Sequence, residues 1–527
     1  MTETIKEGID SKFESRYRSL LSVETPSEIK EDSINKELSL GKSFQEKLFL
    51  QKRIQNQKLN TLSPSKLSMS SIEKNLTISP ELYHTCQKSS VTLDQLNAVI
   101  NCFNSDNLDN KYKGFVGIRK LLCVENPPIN IVFQNNLLYC IIQGLIMPVE
   151  FQYEALWCLI NISFGKNNEA EKIIEEGGYE KISMLLNHNL DEIKEMALWC
   201  VDNIANDSLE TKKYLAKKSL FNKLITLLAT NTNEKIIAFC ISIIRRLIKY
   251  FPSKKFKNID IKKLINLLSK CIICIEFNSE SESGKYILYN CCFILSYITE
   301  VLKNYKDILF ENGVIQHIIK LIKMPNIEKE EPLYYISLRI IGNMISGNVN
   351  QTNQILNYDI INILKNNITT KNKKLQKEIC WIISNISADI PKNKKLLIDA
   401  GLFPILYELY YKSERPIQIE VIYALCNLTQ INSKKYLDYI INNGLLNVIC
   451  SGIKSNETNM IGICLEALNI LLYYGKKMNK NGNNFLVNEI EKMGMLDVLE
   501  NLQYHENEYI YEKTYAIIEN FFPNDLN

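Results

Sequence analysis

The sequence predicts an all-α solenoid: about ten copies of a short helical unit stacked end to end, behind an N-terminal segment with no fold of its own. Three observations predict it. The 527 residues include only 13 prolines and 19 glycines, a composition that favours helices. One motif recurs, an apolar helix with Trp four residues before Asn, as in Trp157/Asn161, Trp199/Asn203 and Trp381/Asn385. Its asparagines fall at 161, 203, 343, 385, 427 and 469, the last four at steps of 42 residues. A period near 42 with helical periodicity and few Gly or Pro marks an armadillo or HEAT array.

The composition bounds the chemistry. The net charge of +3 leaves no field to draw the whole chain to nucleic acid or to a membrane surface. Fifteen cysteines, an odd number scattered through apolar segments, read as reduced thiols in the cytosol or nucleus and not as a disulfide framework. The start, Met1-Thr-Glu-Thr-Ile-Lys-Glu, has no apolar core of a secretory signal. The longest greasy stretch, Leu137 to Val149, is too short and too interrupted to span a bilayer. A soluble intracellular protein is expected, with no membrane insertion and no direct nucleic-acid binding.

Taken in order, residues 1–90 are rich in Ser, Lys, Glu, Gln and Asn, and Thr61-Leu-Ser-Pro-Ser-Lys is a loop signature. Within them Asn35 to Gln57 can form an amphipathic helix with Leu38, Phe44, Leu48 and Ile54 on one side. Residues 1–80 carry 13 basic and 11 acidic side chains, so this is not a basic arm. The solenoid is expected over 91–527. Strong copies centre on Asn161, Asn203, Asn385 and Asn427, and weaker ones on Asn343 and Asn469. Between Asn203 and Asn343 lie two degenerate copies, around Ile243 and Tyr297, with a polar insertion at Asn278–Gly284. Gly-containing turns (Gly178, Gly313, Gly401, Gly444) suit the left-handed conformation that ends a helix.

The spacing i, i+4 places each Trp and its Asn on one helix face, one turn apart, so the pairs form a ladder along one side of the stack. An asparagine carboxamide can pair with a peptide main chain whatever its sequence. Neighbouring indoles make slots for the aliphatic stem of a Lys or Arg. Acidic residues beyond the ladder, Asp207, Glu300, Glu378 and Glu420, can pair with the charged heads. Such a groove prefers an unfolded, basic peptide. The bland alternative is that Trp and Asn are repeat consensus, serving core packing and helix-internal hydrogen bonds.

These motifs, with Ile118-Arg-Lys-Leu-Leu-Cys-Val-Glu-Asn-Pro-Pro-Ile-Asn130, Asn203-Ile-Ala-Asn-Asp-Ser208, Leu295-Ser-Tyr-Ile-Thr-Glu300, Leu338-Arg-Ile-Ile-Gly-Asn-Met-Ile-Ser-Gly347 and the last repeat Leu502 to Glu519, resemble the importin-α family of armadillo adaptors. The resemblance implies a right-handed superhelix with two peptide sites for basic nuclear-localisation signals. The major site would comprise Trp157, Asn161, Gly165, Trp199, Asn203 and Asp207. The minor site would comprise Arg339, Asn343, Thr352, Glu378, Trp381, Asn385, Glu420, Tyr423 and Asn427, with Tyr297 and Glu300 in the linking repeat. It further implies cargo proteins, importin-β and an export receptor at the C-terminal repeats as partners, shuttling between cytoplasm and nucleus, and neither cofactor nor catalysis.

The chain departs from that pattern. Phe239 and Ile243 replace a Trp/Asn pair, and Arg245-Arg246 follow them; Phe164, Met196, Phe293 and Tyr423 are smaller changes. The major site is therefore expected to be weakened and the minor site better kept. Phe44 to Asn56 keeps the rhythm of the family's importin-β-binding helix, but Lys47, Lys52 and Arg53 give it only one dibasic pair, so importin-β binding is expected to be weaker. A catenin-like scaffold for a non-basic partner is the alternative reading. His84, His188, His317 and His505 are far apart, and Cys271-Ile-Ile-Cys274 near Cys291-Cys292 sits on apolar helices where small core residues belong. No phosphate-binding loop, dinucleotide fingerprint or nucleophile elbow is present.

Overall fold

The computed structural model describes residues 72–124, 127–164, 169–217, 219–250, 259–275, 282–324, 331–478 and 484–522. Among them every regular element is a helix. Ten carry the ladder register: α1 (Leu108–Leu122), α2 (Val149–Ser163), α3 (Asp191–Asp207), α4 (Glu234–Leu247), α5 (Glu282–Val301), α6 (Glu331–Ile345), α7 (Lys373–Ala388), α8 (Arg415–Leu428), α9 (Thr458–Met478) and α10 (Glu508–Phe521). Two shorter helices separate most successive pairs, as Pro391–Asp399 and Leu402–Lys412 do between α7 and α8. No described helix is long and apolar enough to cross a membrane.

The local signals are physical. Asn372 caps α7 by accepting from the backbone of Lys374 and Leu375, and Asn107 caps α1 through Asn110. The two short helices of a repeat meet at a residue with positive φ, Gly401 at 73° and Gly444 at 96°, where a side chain is strained. Asn136 and Asp359 take the same role without glycine.

The chain divides into two compact units, one holding residues up to Leu215 with Asn233–Phe239, the other Ala216–Thr232 with everything from Cys240 onward. In the first, α2 packs on α1 and α3; Phe151, Leu156, Leu159 and Ile193 are completely buried. In the second, α7 packs on α6 and α8 over Ile382, Ile383, Val421 and Leu425. Each such side chain contributes about 1.5–3 kcal/mol on burial. The helical stack starts earlier than residue 91: Pro80–Lys88 packs against α1, burying Tyr83 and Cys86 one turn apart and stacking Tyr83 on Tyr112. Two buried residues in a nine-residue helix are too few to stand out against a polar surrounding sequence.

Candidate functional site: two aromatic–asparagine ladders

Three ladder asparagines, Asn203, Asn343 and Asn427, reach across to the preceding ladder helix. Asn203 Nδ2 donates to Ile160 O (3.2 Å) and Ser163 Oγ (3.3 Å). Asn343 repeats the geometry on α5, donating to Ser296 O (3.0 Å) and Thr299 Oγ1 (3.1 Å), which places Tyr297 at the asparagine position of that repeat. Asn427 Nδ2 donates to Ser384 O at 3.4 Å, and Asn161 Nδ2 to Trp157 O at 3.1 Å and Cys123 Sγ at 3.4 Å. The amide hydrogens thus join consecutive repeats, more than the helix-internal bonding that consensus alone required. The Oδ1 atoms of Asn161 and Asn203, and Nδ2 of Asn385, find no partner among the described residues.

In the first ladder Trp157 is 7% exposed and Trp199 2%. The Arg119 guanidinium lies 5.0 Å from the Trp157 ring centroid, and Tyr153 meets the ring edge-on at 5.5 Å. Arg119 Nε is paired with Glu154 Oε2 at 2.5 Å, both groups essentially buried, and Gln87 takes another guanidinium N–H at 2.7 Å. Trp199 stacks on Phe239, ring centroids 6.1 Å apart at 23°. Asp207, at the end of α3, is half-buried; burial first, then Glu171 and Glu169, push its carboxyl up to about 6. Gly165 lies outside the described residues, as do Lys47, Lys52 and Arg53.

The second ladder repeats the arrangement and leaves it open. The Arg339 guanidinium lies 4.9 Å from the Trp381 centroid, and its Nε is 3.0 Å from Glu378 Oε1, three residues before that Trp, as Glu154 is before Trp157. Trp381 is half-buried, as are Glu420, Tyr423 and Asn427. Trp381 lies on Gly342, where a Cβ would come within 2.1 Å of the indole, so only glycine admits the ring there. Glu378 is 4% exposed and paired with Arg339. Thr352 is also buried, its hydroxyl given to Ile345 O (2.9 Å) and Asn348 O (3.2 Å). In the linking repeat Tyr297 is half-buried and Glu300 exposed, while Arg245 and Lys249 lie 4.7 and 4.8 Å from the Phe293 ring.

Sequence reasoning missed Arg119 and Glu154. Arg119 precedes Trp157 by 38 residues whereas Arg339 precedes Trp381 by 42, so a strict period hid the equivalence. It also missed Lys306 and Lys394, buried lysines whose ammonium groups bind carbonyls of the ladder asparagines Asn343 and Asn427. Each lies nine residues after a ladder position, as Thr352 does, so the register held the signal. Burial, then Lys303, lowers the Lys306 ammonium to about 8. Among the described residues no group of three or more His, Cys, Asp or Glu is placed to hold a metal.

Helix triplets joined through a repeated asparagine define an armadillo-repeat protein, and the family described as "Atypical Arm repeat" matches residues 484–527. The crystal structure of an engineered protein shares the fold with a TM-score of 0.63 at 19% identity, covering 81% of this chain and 99% of that one. Within the class, relatives in sequence include importin α subunits. Importin subunit alpha-2 of Caenorhabditis elegans is 28% identical over 458 residues, 86% of this chain and 83% of its own length. Importin subunit alpha-1b of Oryza sativa subsp. japonica is 24% identical over 452 residues, 84% and 82% of the two chains. The likeness runs through the solenoid and is not confined to one repeat.

Proposed function

We propose that this protein is a nuclear-import adaptor that binds Lys/Arg-rich localisation signals as extended peptides on its ladder face. The observation that carries this reading is the second ladder. There a half-exposed indole, the half-exposed Tyr423 ring and the Glu420 carboxylate are set at one-repeat spacing beside Asn385, whose amide hydrogens no group among the described residues uses. A lysine stem packs on the rings, its ammonium meets the carboxylate, and the peptide main chain pairs with the amide. The similarity to importin α subunits supports the same reading. Importin-β would be engaged through the N-terminal segment around Lys47, Lys52 and Arg53, and an export receptor through the last repeats, with shuttling between cytoplasm and nucleus as the result.

The test is a titration of the full chain with a fluorescent lysine-rich peptide at low and high salt. Binding that weakens steeply with salt is expected, because ammonium–carboxylate contacts at a half-exposed site are screened. Absence of binding, with salt-insensitive capture of a non-basic extended peptide, would sink the adaptor and leave the scaffold reading.

A further inference from the structure

We infer that Phe239 is a built-in plug of the first ladder: its ring fills the slot beside Trp199 in which a ligand's lysine stem would lie, so that the second ladder is the site that takes basic peptides. The inference rests on the basic-peptide reading above and assigns it to one of two otherwise parallel sites.

The argument is one of space. A methylene chain held between two aromatic faces touches carbons on both sides at about 3.5–4.0 Å, so the rings must stand about 7–8 Å apart. The centroids of Trp199 and Phe239 are 6.1 Å apart and their planes nearly parallel, so the gap between the faces is no wider than that. The two rings touch one another and nothing fits between them. Their exposures agree: both are at 2%, and Ile243, one turn beyond Phe239, is at 0%. The other indole of this ladder is closed by different means, with Arg119 over one face and Tyr153 at its edge. The amide hydrogens of Asn161 and Asn203 are also spent, on Trp157 O and Cys123 Sγ and on Ile160 O and Ser163 Oγ.

The second ladder shares two of these features, an arginine over its indole and amide hydrogens of Asn343 and Asn427 spent on the preceding repeat, but not the stacked ring. Arg339 covers part of Trp381 as Arg119 covers Trp157, yet no aromatic ring of the described chain stacks on Trp381, and Tyr423 one repeat on is not in ring contact with it. The Asn385 amide nitrogen has no partner among the described residues. The stacked ring is the difference that closes a slot between two aromatic faces, and a single residue supplies it.

The experiment uses the full chain and a fluorescent lysine-rich peptide. Wild type is expected to bind one equivalent, and Trp381→Ala to weaken that binding at least tenfold. Adding Phe239→Ala to Trp381→Ala is expected to restore binding at least tenfold, and Asn203→Ala to abolish the restored binding. Binding that survives Trp381→Ala and is lost in Asn203→Ala would overturn the plug while leaving the adaptor reading standing. Failure of wild type to bind would overturn the adaptor reading and the plug with it. Because Phe239→Ala empties a buried position, a second readout leaves Phe239 in place. With Trp157→Phe and Trp381→Tyr, Trp199 is the sole indole, and its acrylamide quenching should not change with saturating peptide. Protection of Trp199 by peptide would overturn the inference.

Discussion

In the first ladder Trp199 rests against Phe239 and is almost wholly buried, whereas in the second Trp381 rests on the bare backbone of Gly342 with part of its surface in water. The register is otherwise the same: an arginine over the first indole, a glutamate three residues before that indole, an asparagine four residues after it. The same consensus thus serves packing in one place and leaves an indole partly exposed in the other. What separates the outcomes is whether a neighbouring repeat lays a ring against the indole, as Phe239 does on Trp199, or bare backbone, as Gly342 does under Trp381.

The comparison can be broken most forcefully at the two arginine–glutamate pairs. Glu154→Gln leaves the Arg119 guanidinium buried without its counter-charge, and should destabilise the first unit by about 3–5 kcal/mol in chemical denaturation. Gly342→Ala comes next: the added methyl drives the Trp381 ring off its seat, at a cost of about 1–3 kcal/mol. Isothermal titration of the basic peptide should show the accompanying loss of affinity, and an unchanged affinity would mean that the ring's seat does not matter. Glu378→Gln should cost less than Glu154→Gln, about 1.5–3 kcal/mol, because Arg339 reaches solvent and Arg119 does not. Equal costs for the two would erase the distinction between a closed and an open ladder.

The smallest effect concerns pH. Asp207 in the free protein titrates near 6, and a bound ammonium would lower that value. Its contribution to binding is then complete above about 6 and falls as pH drops through 6, by at most about tenfold per unit. With Phe239 in place, wild-type affinity should show no such loss from Asp207; in Phe239→Ala/Trp381→Ala it should appear, and Asp207→Asn should remove it. Peptide titrations at successive pH values check both.

Much of this was legible before any coordinate. The 42-residue steps, the recurring Trp-x-x-x-Asn and the glycines at 313, 401 and 444 specify an armadillo or HEAT array, because each is set by local helix geometry or by the need for a positive φ. The turns at Asn136 and Asp359 were not, since those residue types adopt positive φ only occasionally and carry no unique mark. Phe239 and Ile243 were visible as departures, and read as a lost amide and added charge nearby.

The amino-acid sequence by itself determined the repeat, its helices and which side chains share the ladder face, because periodicity and capping act within a few residues of the chain. Only the tertiary structure decided what stands beside each indole. It placed Arg119 on Trp157 across an irregular 38-residue step, turned Glu378 inward to Arg339, committed the amides of Asn203 and Asn343 to the preceding repeat, and brought Phe239 onto Trp199. Those are contacts between repeats, fixed by a few ångströms of packing distance, and a spacing along the chain carries no record of them.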